Sequence, residues 1–208
     1  MNPYTMRIII AARKEDSINS ISKRIGLSYG WTHKWVKSLA EKGVFRSSRQ
    51  RLELDEKNPF YMSTLDYIRK NFSGDIGFHY SVLGLFGIKY CFTKTDAVFV
   101  WTKGGYNIAR FREHYPVFIK VKKADFSMFR QYCRRLGLRI NSGRGVFYSV
   151  DVLDDFPVSS SDSIPVDSLD STISFMKRHI YNFQPALEMI DEMYGKRSGI
   201  SYKEAKNV

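Results

Sequence analysis

Only two cysteines, Cys91 and Cys133, occur in the 208 residues. Two thiols cannot build a disulfide framework, and neither sits in a CxxC or Cys/His cluster with the spacing of a structural zinc. That usage suits a reducing compartment, and a cytoplasmic protein is expected. Proline, at 6, and glycine, at 14, are sparse, which excludes collagen-like and low-complexity chains. Long apolar runs are missing too. The longest, Tyr80–Ile88, falls far short of the roughly 20 residues that span a bilayer. Ile8–Ala12 is too short for a signal-peptide core and runs into Arg13 and Lys14. No membrane partner is expected, and no internal repeat is visible.

Acidic residues are the scarcer charge: 21 Asp+Glu stand against 33 Lys+Arg, for a net charge of +12. A protein this basic calls for an anionic partner, with nucleic acid leading. The excess is uneven. Residues 1–60 carry 12 basic against 6 acidic side chains, residues 61–140 carry 14 against 5, and residues 141–208 carry 7 against 10. The basic surface therefore belongs to the first two-thirds, and the last third has another purpose. Basic side chains that only solvate helix faces are the alternative reading of the middle stretch.

What is present in abundance is hydrophobic patterning, at 43% of the chain. Pro3–Ala12 has a helical spacing of apolar residues opened by proline. Asp16 or Ser17 can cap a second helix carrying Ile18, Ile21 and Ile25, ended by Gly26. Ser28 can cap a third helix to about Lys42, with Thr32, Val36 and Leu39 on one face and Gly43 as its stop. Val44–Leu54 then reads as a hairpin with Ser47-Ser48-Arg49-Gln50 at its tip. The stretch from Ile21 to Val44, with its Ile25-Gly26-Leu27 turn, Ser28 cap and Leu39-x-x-Lys42-Gly43-Val44 exit, resembles the winged helix-turn-helix of prokaryotic transcription regulators.

With Thr32, Val36 and Leu39 turned inward, the outward face of the third helix is Tyr29, Gly30, His33, Lys34 and Lys37. A recognition helix presents such residues to base edges and phosphates in the major groove. Gly30 permits close approach, and the lysines suit phosphates or guanine. Arg46, Arg49 and Arg51 of the hairpin suit the backbone or the minor groove. These eight residues are the candidate DNA-binding set. Trp31 and Trp35, one turn apart, read as packing residues against a neighbouring helix or subunit rather than as base stackers. A three-helix unit that serves only protein contacts is the alternative.

Residues 61–155 read as a small α/β domain in the order helix, strand, strand, helix, strand. Tyr61–Phe72 is amphipathic, and His79–Phe86 suggests a short buried helix ending at Gly87. Asp96–Thr102 reads as a buried strand, Val117–Lys123 as a half-exposed one, and Gly145–Val152 as a third. Between the last two, a helix from Asp125 to Leu136 carries Arg130, Arg134 and Arg135. The segment His79–Ile88 followed by strands near Ala97–Trp101 and Val117–Val121 resembles the C-terminal domain of AbiEi-type antitoxins. That resemblance implies a repressor of its own promoter that neutralises a toxin protein. It assigns no toxin-contacting residue.

Catalytic signatures are absent. The strand after Gly104-Gly105 has no Asp-x-Asp, and Phe118-Ile119-Lys120 has phenylalanine where a nuclease would place a carboxylate. Asp151, Asp154 and Asp155 could hold a divalent cation or simply solvate a strand exit. We expect no cofactor, no metal and no catalytic residue.

In residues 156–208, Ser159–Ser163 reads as a polar loop. After it Leu169, Ile173, Met176, Ile180, Phe183, Leu187, Ile190 and Tyr194 recur in a four–three alternation. Pro185 is expected to kink or split this helical element near Gln184. The seam suits packing within the chain or a homodimer, the usual state of regulators that bind paired half-sites. The expected class is thus α+β: a winged helix-turn-helix in 1–60, a basic α/β domain in 61–155 and C-terminal helices. The expected function is sequence-specific binding of double-stranded DNA. The alternatives are a nucleic-acid-processing enzyme using the middle domain and a protein-binding adaptor.

Overall fold

A computed structural model describes residues 2–48, 51–108 and 110–196. It is a mixed α+β chain with two sheets. The chain divides into two compact units, one of residues 1–88 with 127–139, the other of residues 89–126 with 140–208. Among the described residues no helix is long and apolar enough to cross a membrane.

The first unit begins with helix α1 (Pro3–Ala11), capped by Asn2, whose side chain accepts from the Tyr4 and Thr5 amides. A two-residue strand β1 (Glu15–Asp16) leads to α2 (Ile18–Ile25), capped by Ser17 through the Ser20 amide. Helix α3 (Tyr29–Glu41) follows after three residues. Strands β2 (Phe45–Ser48) and β3 (Arg51–Leu54) pair antiparallel, Phe45 opposite Leu54, and β1 joins the free edge of β3. Leu52 and Leu54 alternate inward with Arg51 and Glu53 outward. Helix α4 (Pro59–Phe72), capped by Asn58, α5 (Ile76–Val82) and a 3-10 turn at Leu83–Leu85 complete this stretch. Three helices interlock through Ile8, Ile9 and Ile10 of α1, Ile21 and Ile25 of α2, and Val36 and Leu39 of α3, all 3% exposed or less. Each such side chain contributes roughly 1.5–3 kcal/mol by leaving water.

The second unit opens with β4 (Tyr90–Phe92) and α6 (Lys94–Trp101), then β5 (His114–Lys122). Helix α7 (Lys123–Leu136) connects β5 to β6 (Arg139–Ile140) and the parallel strand β7 (Gly145–Leu153), and its residues from Ser127 onward belong to the first unit. Strands β8 (Ser159–Ser161) and β9 (Ile164–Val166), then helices α8 (Leu169–Arg178) and α9 (Ile180–Tyr194), end the described chain. The six strands run β6-β7-β5-β4-β9-β8.

Three local readings change. The strand expected over Asp96–Thr102 is instead the helix α6, which runs to Trp101. Its apolar run Ala97–Trp101 has no period of its own, and the turn is set at its start, where the Asp96 and Ala97 amides donate to Thr93 O at 3.1 and 3.2 Å. The Asp96 carboxylate, 1% exposed, then receives Arg110 Nη1 at 3.0 Å and the Phe118 amide at 2.7 Å, which ties this turn to β5. Ser159–Ser163 is not a loop but half of a hairpin. Asp162 and Ser163 both take positive φ, 49° and 67°, the conformation of a two-residue type I′ turn, without the asparagine–glycine pair that usually marks one.

The third change is at the seam. The chain breaks at His179, between α8 and α9, and Pro185 lies inside α9. Proline here forfeits only a bond to Tyr181 O in the first turn, beside a residue 99% exposed, where water can serve that carbonyl. Met176, Phe183, Leu187 and Ile190 of the seam are buried around Val98 of α6, with Trp101, Tyr106, Leu169, Ile173 and Tyr194 packed at the margin. Tyr194 donates to Trp101 O at 2.8 Å, closing α9 onto α6. These seam residues therefore pack within the chain. Both cysteines are buried thiols, and burial foremost, with Asp167 adding to it, pushes Cys91 up to about 12.

Leu187→Ala should lower the unfolding free energy by about 2–5 kcal/mol in a urea titration, the range for a buried leucine. Tyr181→Ala, on the exposed side of the same helix, should stay within about 0.5 kcal/mol of wild type. Equal, small effects would show that the seam is not core.

Candidate nucleic-acid interface

The start of α2 is fixed by a nearly buried carboxylate. Asp16, 2% exposed in its side chain, is ion-paired with Arg24 and accepts from the Arg13 and Ser17 amides at 3.0 and 2.9 Å. The end of α2 is fixed by Gly26 at φ 64°, a left-handed conformation that favours glycine, with the Leu27 amide donating to Ser22 O at 3.1 Å. The chain then enters α3 through Ser28, whose hydroxyl accepts from the Trp31 amide while Thr32 Oγ1 donates to Ser28 O at 3.0 Å.

Because Thr32, Val36 and Leu39 are buried, the 3.6-residue period turns Tyr29, Gly30, His33, Lys34 and Lys37 outward, and all five are exposed. At Gly30 an added Cβ would meet nothing within 4 Å, so the helix surface is open there. Tyr29 is 55% exposed and stacks on His33 one turn on, with ring centroids 6.1 Å apart. Lys34 Nζ lies over the Trp31 and Trp35 rings at 5.2 and 5.7 Å. Both tryptophans stack on Tyr4 of α1, at 5.8 and 5.9 Å. Trp35 is half-buried and Trp31 remains 50% exposed, so the pair packs on a neighbouring helix while forming part of the exposed surface. A cation held over aromatic faces gains about 0.5–1 kcal/mol at an exposed site, enough to narrow where the Lys34 ammonium is found.

The hairpin brings further cations to this unit. Arg46 is 75% exposed in its side chain and stands 3.7 Å from Asp55, a loose surface pair of little energetic weight. Arg51 is exposed and, with Tyr29 of α3, Ser47 of β2 and Ser17 and Asn19 at the start of α2, lines a cleft of about 330 Å³. Arg49 lies outside the described residues. Helix α3, the hairpin and the start of α2 thus meet at one cleft with Tyr29 and Arg51 in it. The contribution of Tyr4 has no sequence signal, because nothing in the spacing connects position 4 to positions 31 and 35. It needs the crossing of α1 and α3.

In the other unit the carboxylates of 151–155 each face a lysine: Asp151 with Lys94 at 2.9 Å, Asp154 with Lys123 at 3.2 Å, and Asp155 with Lys89 at 2.6 Å and Lys122 at 3.8 Å. The Asp155 carboxyl, bonded by Lys89, is held below the usual carboxylate range. Asp167 is likewise engaged, by Lys120 Nζ at 2.7 Å and the Thr93 hydroxyl. Among the described residues no group of three His, Cys, Asp or Glu side chains is placed to hold a metal ion. Compared with known proteins, the chain matches no family model, no curated protein and no solved structure.

Tyr4→Ala removes the ring on which Trp31 and Trp35 stack. With three tryptophans in the chain, intrinsic fluorescence should move to longer wavelength in this variant while the helical circular dichroism is retained. An unshifted spectrum would show that the stack does not form in solution.

Proposed function

We propose that the protein is a sequence-specific double-stranded DNA-binding regulator, and that residues 1–60 act as a winged helix-turn-helix. The observation that carries this is the exposed face of α3. A Ser28-capped helix anchored by a buried stripe presents Gly30, His33, Lys34 and Lys37 outward, next to a hairpin bearing Arg46 and Arg51. An α-helix fits the major groove, and lysine and histidine at its exposed N-terminal half can reach base edges or phosphates. Gly30 lets the helix come close to the duplex. The hairpin arginines, Arg49 among them, take backbone phosphates or the minor groove.

The chain's charge favours the same partner. Its basic excess lies in residues 1–140, where phosphates would supply the counter-charge. The α3 face is also what an autorepressing antitoxin would use on its own promoter. In this reading the protein acts by binding, without a catalytic centre, a metal or a cofactor.

Lys34→Ala with Lys37→Ala, and separately Arg46→Ala with Arg51→Ala, should weaken duplex binding at least tenfold while the circular dichroism of the folded chain is retained, since all four side chains are exposed. Log affinity should fall with log salt at about −0.9 per phosphate neutralised, and each double variant should flatten that slope. Wild-type binding by both double variants, or a flat salt slope in the wild type, would overturn the proposal.

A further inference from the structure

Arg134 and Arg135 of α7 have no part in the α3 surface, and they line a groove in the first unit. It has a volume of about 360 Å³ and is walled by Tyr61, Leu65 and Arg69 of α4 and Gln131, Arg134 and Arg135 of α7. At its floor Tyr61 is 2% exposed, and its hydroxyl proton has no acceptor among the described residues. Arg135 lies beside that phenol, and an arginine can only donate. Burial, foremost, raises the Tyr61 pKa while Arg135 opposes the rise, so the phenol keeps its proton near neutral pH.

The arginines divide their donors unequally. Arg135 spends Nη1 and Nη2 on the Ala12 and Ile10 carbonyls at the end of α1, and its buried Nε finds no acceptor among the described residues. Arg69 gives Nε to Arg135 O at 2.9 Å and Nη1 to Asp66 at 3.0 Å, which leaves Nη2. Arg134 is exposed and has no ion-pair partner among the described residues. Glu56 and Asp66 also border the groove, so the lining holds three cations against two carboxylates. A buried hydroxyl without an acceptor costs about 1–3 kcal/mol, so such groups are usually satisfied in the functioning molecule. The buried groups in want of a partner here, the Tyr61 hydroxyl and Arg135 Nε, are both donors, and with three guanidiniums against the Glu56 and Asp66 carboxylates in the lining the group they suit is an acceptor with negative charge.

We propose that the groove between α4 and α7 binds an oxyanion, a phosphoryl group, with the Tyr61 hydroxyl and the Arg134 and Arg69 guanidiniums as its donors. Planar guanidiniums grip phosphate oxygens through paired N–H bonds, and the buried phenol adds a donor that water reaches poorly. The phosphoryl group belongs either to the DNA backbone, beyond the contacts of α3 and the hairpin, or to a free phosphorylated compound. The site does not depend on duplex binding by α3.

Inorganic phosphate titrated into the full chain, against chloride at matched ionic strength, tests this by calorimetry. Wild type should bind it saturably, and so should the Lys34→Ala, Lys37→Ala double variant. Arg134→Gln and Tyr61→Phe should each bind phosphate at least tenfold more weakly. Tyr61→Phe should melt no lower than wild type without phosphate, because the hydroxyl it removes has no acceptor. If Arg134→Gln also weakens duplex binding and flattens its salt slope by about 0.9, the phosphoryl group is the backbone's. If duplex binding is unchanged while phosphate binding is lost, it is that of a free compound. Both outcomes support the oxyanion site. No saturable phosphate binding, equal binding by wild type and both groove variants, or a lower phosphate-free melting temperature for Tyr61→Phe would overturn it.

Discussion

The burial of one stripe of α3 decides what the rest of the first unit can do. Thr32, Val36 and Leu39 are 2% exposed or less, and they pack where α1 and α2 meet. Their burial contributes several kcal/mol by the usual transfer scale, a large part of the roughly 5–15 kcal/mol that holds a domain folded. A helix has only one rotational setting that keeps this stripe inside. That setting puts Gly30, His33, Lys34 and Lys37 in water, where four hydrophilic or minimal residues cost nothing to expose. The chemistry of the outer face is thus free of the fold. It can be set by a partner's demands, and what stands there is a glycine, a histidine and two lysines.

The surroundings of that face are held by a different kind of interaction. The Asp16–Arg24 pair is almost sheltered from water, with side-chain exposures of 2% and 9%. Breaking such a pair by removing one partner usually costs about 3–5 kcal/mol, because it leaves a buried charge uncompensated. The pair fixes the start of α2 and so the direction from which the turn delivers α3. Gly87 shows how closely this region is packed, since an added Cβ would fall 2.5 Å from the Arg24 side chain. The surface pair Arg46–Asp55 lies at the other extreme. It is exposed and loose, and it leaves the guanidinium free to trade its carboxylate for a phosphate.

How much of this was legible beforehand follows from the range of each interaction. The caps at Ser17 and Ser28, the stop at Gly26 and the inward stripe of α3 are set within four residues of themselves, and the sequence pattern announces them. Strand β5 is legible for a similar reason, because Val117, Ile119 and Val121 alternate with Phe118, Lys120 and Lys122. Helix α6 was not, because the short apolar run Ala97–Trp101 can fill a helix or a strand equally well. Its first turn closes on Thr93 O, and Arg110 and the Phe118 amide, 14 and 22 residues away, hold Asp96 of that turn against β5. The β8–β9 hairpin hid behind serines in a turn that glycine usually occupies. Of the candidate interface, the outward lysines and the hairpin arginines could be named from spacing alone. The Tyr4 stack under Lys34, and the groove at Tyr61 and Arg134, arise where helices distant in sequence come together.

The proposed role of α3 is to offer its outer face to duplex DNA. The most direct test is a ¹H–¹⁵N correlation spectrum of the full chain, followed as a duplex selected from a random pool is added. That role predicts a selected sequence with a recognisable consensus, and amide shifts that concentrate in residues 29–37 and 46–51. Selection without any consensus, or shifts that leave α3 untouched, would contradict it.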